Sequence, residues 1–489
     1  MRDLITEPAW KETDLGIPLP DDRHAVSVCM PTWDSVIGYE EGRERIVSKL
    51  RCGYPRFFKH PAVERLFSEC EQAVALEGES VVVFPHRDAA QRALRFVEKR
   101  NGEALRVAGF DGLQVLVGSE DACKLAMEYW RYTGEIVSSR QALDVMDGDG
   151  LWKYDASELL RRLEEYGGYA EGDVFVYESG MSAVYAVHRS LSKLNPNKKT
   201  LQLDFPYVDA LKVQQNFGAG AVFLHDAQGE LFDEALNRIR KGEFSAVFTE
   251  VPSNPLLRTV DLQRVSEACK EGNVPLVIDD TVSSCFNVDV KPFGDVVTTS
   301  LTKWISGKGD VMAGAVQLVE GSAFYSELSA FFNEDCEDGC RLYAADAAVL
   351  DENSKGFIER MPVVNKTTDA IVKYLSDHDA VAEVWYTNGD TKKQYDQMKK
   401  PVGGYGGLFS FTLKNDKKAA KFYDLLEVSK GPSLGAEFSL VSPYTLLAHY
   451  DELEWAEGCG VSKNLIRVSV GIEPKGILLK RIKNALDAI

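Results

Sequence analysis

Between about residue 136 and residue 345 the chain repeats one pattern, a short apolar run followed by a segment of helix length. The runs are "GDVFVYES", "KTLQLDFP", "AGAVFLHD", "FSAVFTEV", "VPLVIDD", "GDVVTTS" and "AGAVQLV". A strand with one wet face alternates apolar and polar residues, whereas a strand that is apolar throughout needs cover on both faces. Interleaved with helices, these runs predict an α/β domain whose mostly parallel sheet is sandwiched by helices.

The flanking parts read differently. Residues 1–135 form an N-terminal extension of mixed α/β character, with "HAVSVCMPTW", "GESVVVFP" and "GLQVLVGS" as short strands around helical stretches such as "RDAAQRALRFVEKR". Beyond the central part at 136–345, residues 346–489 begin with a helical connection. They continue through "GGLFSFTLKN", "KKAAKFYDLLEV", "NLIRVSVGIEP" and "GILLKRIKNALDAI" as a smaller α+β domain. One internal echo stands out. "YPRFFKHPAVERL…ALEGESVVVFPHRDAA" and "SSRQALDVM…RRLEEYGGYAEGDVFVYESGMSA" share the order of loop arginine, helix, acidic turn, apolar strand and helix start. The simpler account is chance agreement between two α/β units; duplication is the other.

Three local features in the central part belong to one chemistry. Gly180-Met181-Ser182 follows an apolar strand at once, and Val184, Val187, Leu191 and Leu194 then recur at helical spacing. A strand–turn–helix junction of this kind aims free backbone N–H groups at one point, where an anion such as a phosphate is stabilised. Asp279 and Asp280 end the strand "PLVIDD", at the edge where open α/β sheets place ligands. One of the two should face the ligand and the other should point away. Lys303 comes 24 residues after Asp279, inside Ser300-Leu301-Thr302-Lys303-Trp304, with hydroxyls on Ser300 and Thr302 that suit phosphate oxygens. Lys308 in "GKGD" is the competing lysine, without those flanks. Singly, each feature has a bland explanation: a tight turn, a capping acid, a surface amine. Together they are what pyridoxal 5'-phosphate requires, namely a lysine for its aldehyde, an acid for its ring nitrogen and amides for its phosphate.

Composition narrows the partners. A net charge of −19 argues against a nucleic-acid or anionic-membrane binder, which needs clustered Lys and Arg. Nine cysteines, an odd number in a long chain, make no disulfide framework. Cys336 and Cys340 have no histidine nearby, and the seven histidines show no metal-ligand spacing, so no metal is expected. "MRDLITEPAWKETD" lacks the features of a secretory signal or transit peptide, and no apolar run is long enough to span a bilayer. A cytoplasmic location with reduced thiols is the expectation.

Taken as a set, the motifs resemble the cysteine/methionine-metabolism family of pyridoxal phosphate enzymes, of the aspartate-aminotransferase fold (fold type I), over roughly residues 136–489. "ESGMSAV" resembles the family's phosphate turn. "VPSNPLLRTVDL" is close to its "SPSNPLLRVVDI" pattern, and "VIDDTVSS" stands where the family has "VDNTF". "SLTKWISGKGDVMAG" resembles the lysine motif over its whole length. "PSLGAEFSLV" and "NLIRVSVGIEP" resemble the segments that hold a substrate α-carboxylate. The resemblance implies Lys303 as the catalytic Schiff-base lysine, Asp279 as ring-nitrogen partner, and Gly180, Met181, Ser300 and Thr302 as cofactor contacts. It carries substrate binding to Ser433 and Arg467. Tyr207 in "DFPYVDALK" stands for the ring-stacking tyrosine, also with a catalytic part, although the two glycines that usually follow are missing. The family's Tyr-x-Arg loop, which reaches the neighbouring subunit's phosphate, has two candidates. Tyr54 and Arg56 in "CGYPRFF" keep both residues; "IVSSRQA" keeps Arg140 but has Ser138 in place of the tyrosine. Phe438 replaces a glutamate of many relatives, which removes an anchor for a distal amino group.

Within the family, "CMPTW", "YPRFF" and "SPYTLLAHY" look like the fungal cystathionine γ-synthase group. That implies γ-replacement joining cysteine to an O-acylhomoserine to give cystathionine. Cystathionine γ- or β-lyase and O-acetylhomoserine sulfhydrylase are same-fold alternatives, and a regulatory homologue without turnover is a different class. The implied partners are these amino-acid substrates and further copies of the chain, in a homodimer or homotetramer with shared active sites.

Overall fold

The computed structural model describes residues 2–148 and 152–489. Three sheets organise it. The N-terminal sheet joins β1 (Ser80–Phe84), β2 (Arg106–Phe110) and β3 (Leu113–Gly118) in the antiparallel order β1-β3-β2. Val82, Val83, Phe84, Val115 and Leu116 pack with Leu66, Ala93, Val97, Ala126 and Tyr129 of the surrounding helices. β2 is absent from the sequence reading because "RVAGF" contains no apolar run; it is an edge strand with mostly exposed residues.

All seven apolar runs of the central part are strands of one sheet: β4 (Val174–Tyr177), β5 (Thr200–Leu203), β6 (Ala221–Leu224), β7 (Val247–Glu250), β8 (Leu276–Asp279), β9 (Val296–Thr299) and β10 (Gly314–Leu318). Their order is β4-β10-β9-β8-β7-β5-β6. β6, β5, β7, β8 and β9 run parallel, while β10 is antiparallel to both β4 and β9. Continuous burial of β4, β5, β7, β9 and β10 is the structural counterpart of their continuous apolarity. The parallel strands place their carboxyl ends together, so Glu250, Asp279 and Thr299 end neighbouring strands at one rim.

The C-terminal sheet comprises β11 (Val381–Trp385), β12 (Leu408–Leu413), β13 (Ser429–Lys430), β14 (Leu440–Pro443) and β15 (Ile466–Ser469), ordered β11-β12-β15-β14-β13. The Phe357–Ser376 helix leads into it. Residues 2–60 pack largely on this domain: Ala25, Val28, Met30, Val36, Leu50 and Cys52 share a core with Phe409, Phe411, Tyr423 and Val441. "HAVSVCMPTW", expected as a strand, forms only a single bridge from Val28 to Pro18. Its backbone instead bonds across to the large and small domains: Val26 N donates to Gly309 O at 2.9 Å and Met30 N to Lys430 O at 3.0 Å. The N-terminal part is therefore two pieces, a segment laid over the C-terminal domain and a compact module built on β1–β3.

Candidate active site

Lys303 follows β9 in a series of turns whose backbone is closed by Lys303 N on Ser300 O (3.2 Å) and Gly307 N on Lys303 O (2.8 Å). Gly435 lies directly against it. A Cβ on Gly435 would fall 2.7 Å from Trp304 N and 2.9 Å from Lys303 Cα, and its φ of +77° belongs to glycine. This close approach brings Ser433 onto the lysine, with Nζ donating to Ser433 Oγ at 3.1 Å. On the other side Nζ is 3.5 Å from the Tyr54 hydroxyl and 4.5 Å from the centre of its ring. Burial holds the Lys303 amine below the ordinary lysine value, opposed by Tyr54 and reinforced by Arg467 and Arg56. Burial also resists ionisation of Tyr54, but the charges of Lys303 and Arg56 outweigh it and bring the phenol below its ordinary value.

Lys303 opens into a cavity of about 720 Å³ whose walls include Gly180, Met181, Tyr207, Asp279, Ser300, Tyr54 and Arg467. The helix Gly180–Leu194 points its N-terminus there; Ser179 caps it by accepting from Ser182 N at 3.0 Å. A Cβ on Gly180 would fall 2.8 Å from Ser300 Cβ, so the bare glycine lets the two chain segments meet at the cavity wall. Asp279, last in β8, is buried, bonded by Thr298 Oγ1 at 3.2 Å and by the Thr281 amide at 2.9 Å. Burial raises its pKa, with Thr281 and Thr298 only partly compensating. A protonated ring nitrogen beside it would relieve that penalty. Asp280 points the other way, accepting from Thr299 Oγ1, and burial pushes it up to about 7.

The Arg56 guanidinium is fully enclosed. Nη1 donates to Asp209 Oδ2 at 2.5 Å and to Arg131 O at 2.7 Å; Nη2 donates to the Tyr207 hydroxyl at 2.5 Å. Removing one partner of a buried ion pair costs about 3–5 kcal/mol, so Arg56 and Asp209 specify each other. Tyr207 is held at the mouth of the Val208–Asn216 helix by its amide, which donates to Glu250 Oε1 at 2.6 Å. On β15, Arg467 donates to Asn254 Oδ1 (3.2 Å), Pro432 O (2.9 Å) and Ser433 O (3.3 Å), over the Tyr444 ring at 4.7 Å. The guanidinium stands near Lys303 with Ser433 between them.

Two expected contacts lie elsewhere. Thr302 turns into the interior: its hydroxyl donates to Ala313 O at 3.2 Å and accepts from Ala313 N at 3.0 Å. The strand has already ended at Thr299, so Ser300 and Thr302 do not share a face. Arg140 is bound to Asp346 (2.8 Å) and Asp310 O (2.9 Å), beside a separate cavity with His24 and His86. Arg56 stands behind the Tyr207 wall of the Lys303 cavity without lining it, whereas Arg140 lines the other cavity. Lys308 pairs with Glu437 at 2.6 Å. Phe438 is not a cavity wall; it packs with Leu4, Ala9 and Leu19 under the N-terminal segment. Sequence reasoning missed Asp209, Glu250, Asn254, Tyr444 and Glu40. Asn254 and Tyr444 lie in stretches singled out as family-like, "VPSNPLL" and "SPYTLL", and only their spatial convergence on Arg467 reveals them. Asp209 and Glu40 had no local signal.

The residues present thus fit pyridoxal phosphate: an amine of lowered basicity, a buried acid, a helix N-terminus that opens on glycine, and Tyr207 converge on one cavity. Comparison with known proteins agrees. Residues 162–487 match the family described as Cys/Met metabolism PLP-dependent enzyme, and residues 62–138 match the fungal trans-sulfuration enzyme N-terminal domain. The chain is 31% identical to the cystathionine γ-synthase of Neurospora crassa, over 97% of this chain and 98% of that one. It is 30% identical to the L-2-amino-4-chloropent-4-enoate dechlorinase/desaturase of Streptantibioticus cattleyicolor, over 96% and 97%. Its fold is similar to that of cystathionine γ-synthase from Xanthomonas oryzae pv. oryzae in complex with aminoacrylate and cysteine. That match has 27% identity and a TM-score of 0.60, covering 68% of this chain and 86% of that one. The chain belongs to the pyridoxal-phosphate-dependent enzymes of cysteine and methionine metabolism.

Proposed function

We propose that the enzyme catalyses γ-replacement, joining L-cysteine to an O-acylhomoserine to give cystathionine. The observation that carries this is the convergence of Lys303, Tyr54, Ser433 and Arg467 on one roomy cavity. It offers a carboxylate clamp and a proton-transfer pair on opposite sides of the same amine. Pyridoxal phosphate, when bound, supplies an aldehyde for the substrate amine and a ring that accepts the electron pair left at Cα. Asp279 would hold the ring nitrogen protonated, the amides of Gly180 and Met181 with Ser300 would take the phosphate, and Tyr207 would cover the ring.

Arg467 binds the substrate α-carboxylate in fork geometry, with Ser433 fixing its orientation. The lowered basicity of Lys303 makes its free amine available to take the Cα proton. Tyr54, adjacent to that amine, assists proton removal at Cβ. The acyl carboxylate then leaves Cγ with its bonding pair, the cysteine thiolate forms the Cγ–S bond, and the two protons return to Cβ and Cα. Glu40 lines the outer part of the cavity with one carboxyl oxygen unpartnered, near Asp451. Burial, with Asp451 nearby, pushes Glu40 up to about 8, and an ammonium group arriving beside it would restore its charge.

The test is to incubate the holoenzyme with O-acetyl- or O-succinylhomoserine, with and without cysteine, and identify the products. Cystathionine formed only with cysteine is the expected result. Release of 2-oxobutanoate from cystathionine at a higher rate would overturn γ-replacement in favour of cleavage.

A further inference from the structure

We infer that each chain carries a complete active site, because its own N-terminal segment supplies Tyr54 to its own Lys303 and Arg56 to its own Tyr207. The contacts are intrachain: Tyr54 on the lysine, Arg56 on Asp209, on Arg131 O and on Tyr207. The segment on either side of them is fastened to the same chain. Ahead of the loop, Tyr423 Oη donates to Met30 O (2.8 Å), Lys430 Nζ to Pro31 O (2.8 Å) and Trp33 N to Asp424 Oδ1 (2.7 Å). A Cβ on Gly431 would fall 2.6 Å from Ser27 Oγ, so Ser27 is seated directly on the C-terminal domain. The loop is then pinned at both ends to that seated stretch: Cys52 Sγ donates to Ser27 O at 3.1 Å and His60 Nε2 to Arg23 O at 2.7 Å.

Seven residues, 53–59, lie between those pins. Fully extended they span about 25 Å, so a loop held at both ends projects at most about half of that. It reaches the Lys303 against which it lies and no more distant site. Asp209 is the positioning residue: it lies two residues after Tyr207 and neutralises Arg56 where the guanidinium touches Tyr207. The site expected to be shared between subunits is instead closed by the chain that contains it.

Hybrid complementation tests this, resting on the proposed reaction only for its first assay. Lys303→Ala and Tyr54→Phe/Arg56→Lys chains with different tags are co-expressed, and the species carrying both tags is isolated. In a site shared between subunits, one site of the hybrid pairs an intact Lys303 with an intact Tyr54 and Arg56, restoring about half the wild-type turnover. In a self-contained site no such combination exists, and the hybrid stays as inactive as the two parent variants. Restored turnover overturns the inference, and so does full activity in the Tyr54→Phe/Arg56→Lys parent. If no doubly tagged species forms, turnover by a wild-type chain of monomeric mass supports the inference; turnover found only in a larger assembly overturns it. Should wild type fail at γ-replacement, exchange of the Cα proton of a bound amino acid in heavy water replaces that readout. The function and the provenance of the site thus fail separately.

Discussion

Arg56 lies in the loop ahead of the Pro61–Val74 helix, and Arg140 in the first turn of the Ser139–Asp147 helix, in stretches with the same order of parts. Each stretch goes on through a buried strand to a helix start, Arg87 in one and Gly180 in the other. The surroundings differ sharply. Gly180 presents bare backbone to Ser300, and the cavity behind it holds Asp279 and Lys303. Both helix starts carry the same kind of side-chain cap, Ala89 N donating to His86 Nδ1 at 3.2 Å and Ser182 N to Ser179 Oγ at 3.0 Å; what differs is the next residue, a glycine set against Ser300 in one and an exposed arginine in the other. The two arginines are crossed as well, since Arg56 from the first stretch serves the cavity of the second. The lesson is that an α/β plan can recur while chemistry attaches to one copy, and the residue at the helix start decides which. Glycine at the first helical position lets Ser300 approach the backbone beside the cavity, an approach that a side chain there would block.

Substitutions that separate the two copies give graded effects. The largest is at the lysine. Lys303→Ala should lower kcat by at least about 10³-fold, the scale of a lost positioned base and nucleophile. Lys308→Ala, which removes a surface pair with Glu437, should change kcat less than about threefold in the same assay. Next come the helix starts. Gly180→Ala drives a methyl group into Ser300 and should weaken pyridoxal phosphate binding about 10–100-fold in an absorption titration. Arg87→Ala, at the equivalent place in the other copy, should leave that affinity within about twofold. A Gly180→Ala enzyme with ordinary affinity would show that the bare backbone has no such part.

The smallest effect concerns stability. Asp280 titrates near 7 when folded against an ordinary value of 3.8, because burial disfavours its charged form. Folding therefore takes up a proton between those values. The stability is fully present below about 3.8 and is lost as pH rises through about 7. Asp280→Asn keeps a partner for Thr299 and carries no charge, so its melting temperature should exceed wild type by more at pH 8 than at pH 4. An equal difference at both values would place the titration elsewhere.

The strands of the central sheet were legible because cover on both faces leaves an unbroken apolar run, as in "VPLVID". Lys303, Asp279 and Gly180 were legible because each belongs to a local pattern at a strand end. Thr302 misled because its hydroxyl flanks the lysine in sequence, while the turn after Thr299 sends it to Ala313. The choice between Arg56 and Arg140 was closed to sequence because it depends on Asp209 and Asp346, each more than a hundred residues away from its arginine. Burial of a charge needs a counter-charge, and chain distance hides which one it finds.

That choice is also where the account is most exposed. The decisive measurement is a pyridoxal phosphate titration of Arg56→Lys and Arg140→Lys apoenzymes side by side, followed by visible absorption and by kcat/KM of the loaded enzymes. Lysine keeps each positive charge beside its aspartate but loses the fork geometry. The account predicts that Arg56→Lys lowers kcat/KM about tenfold or more and alters the absorption band, while Arg140→Lys stays within about twofold of wild type. A normal Arg56→Lys enzyme beside an impaired Arg140→Lys enzyme would contradict it.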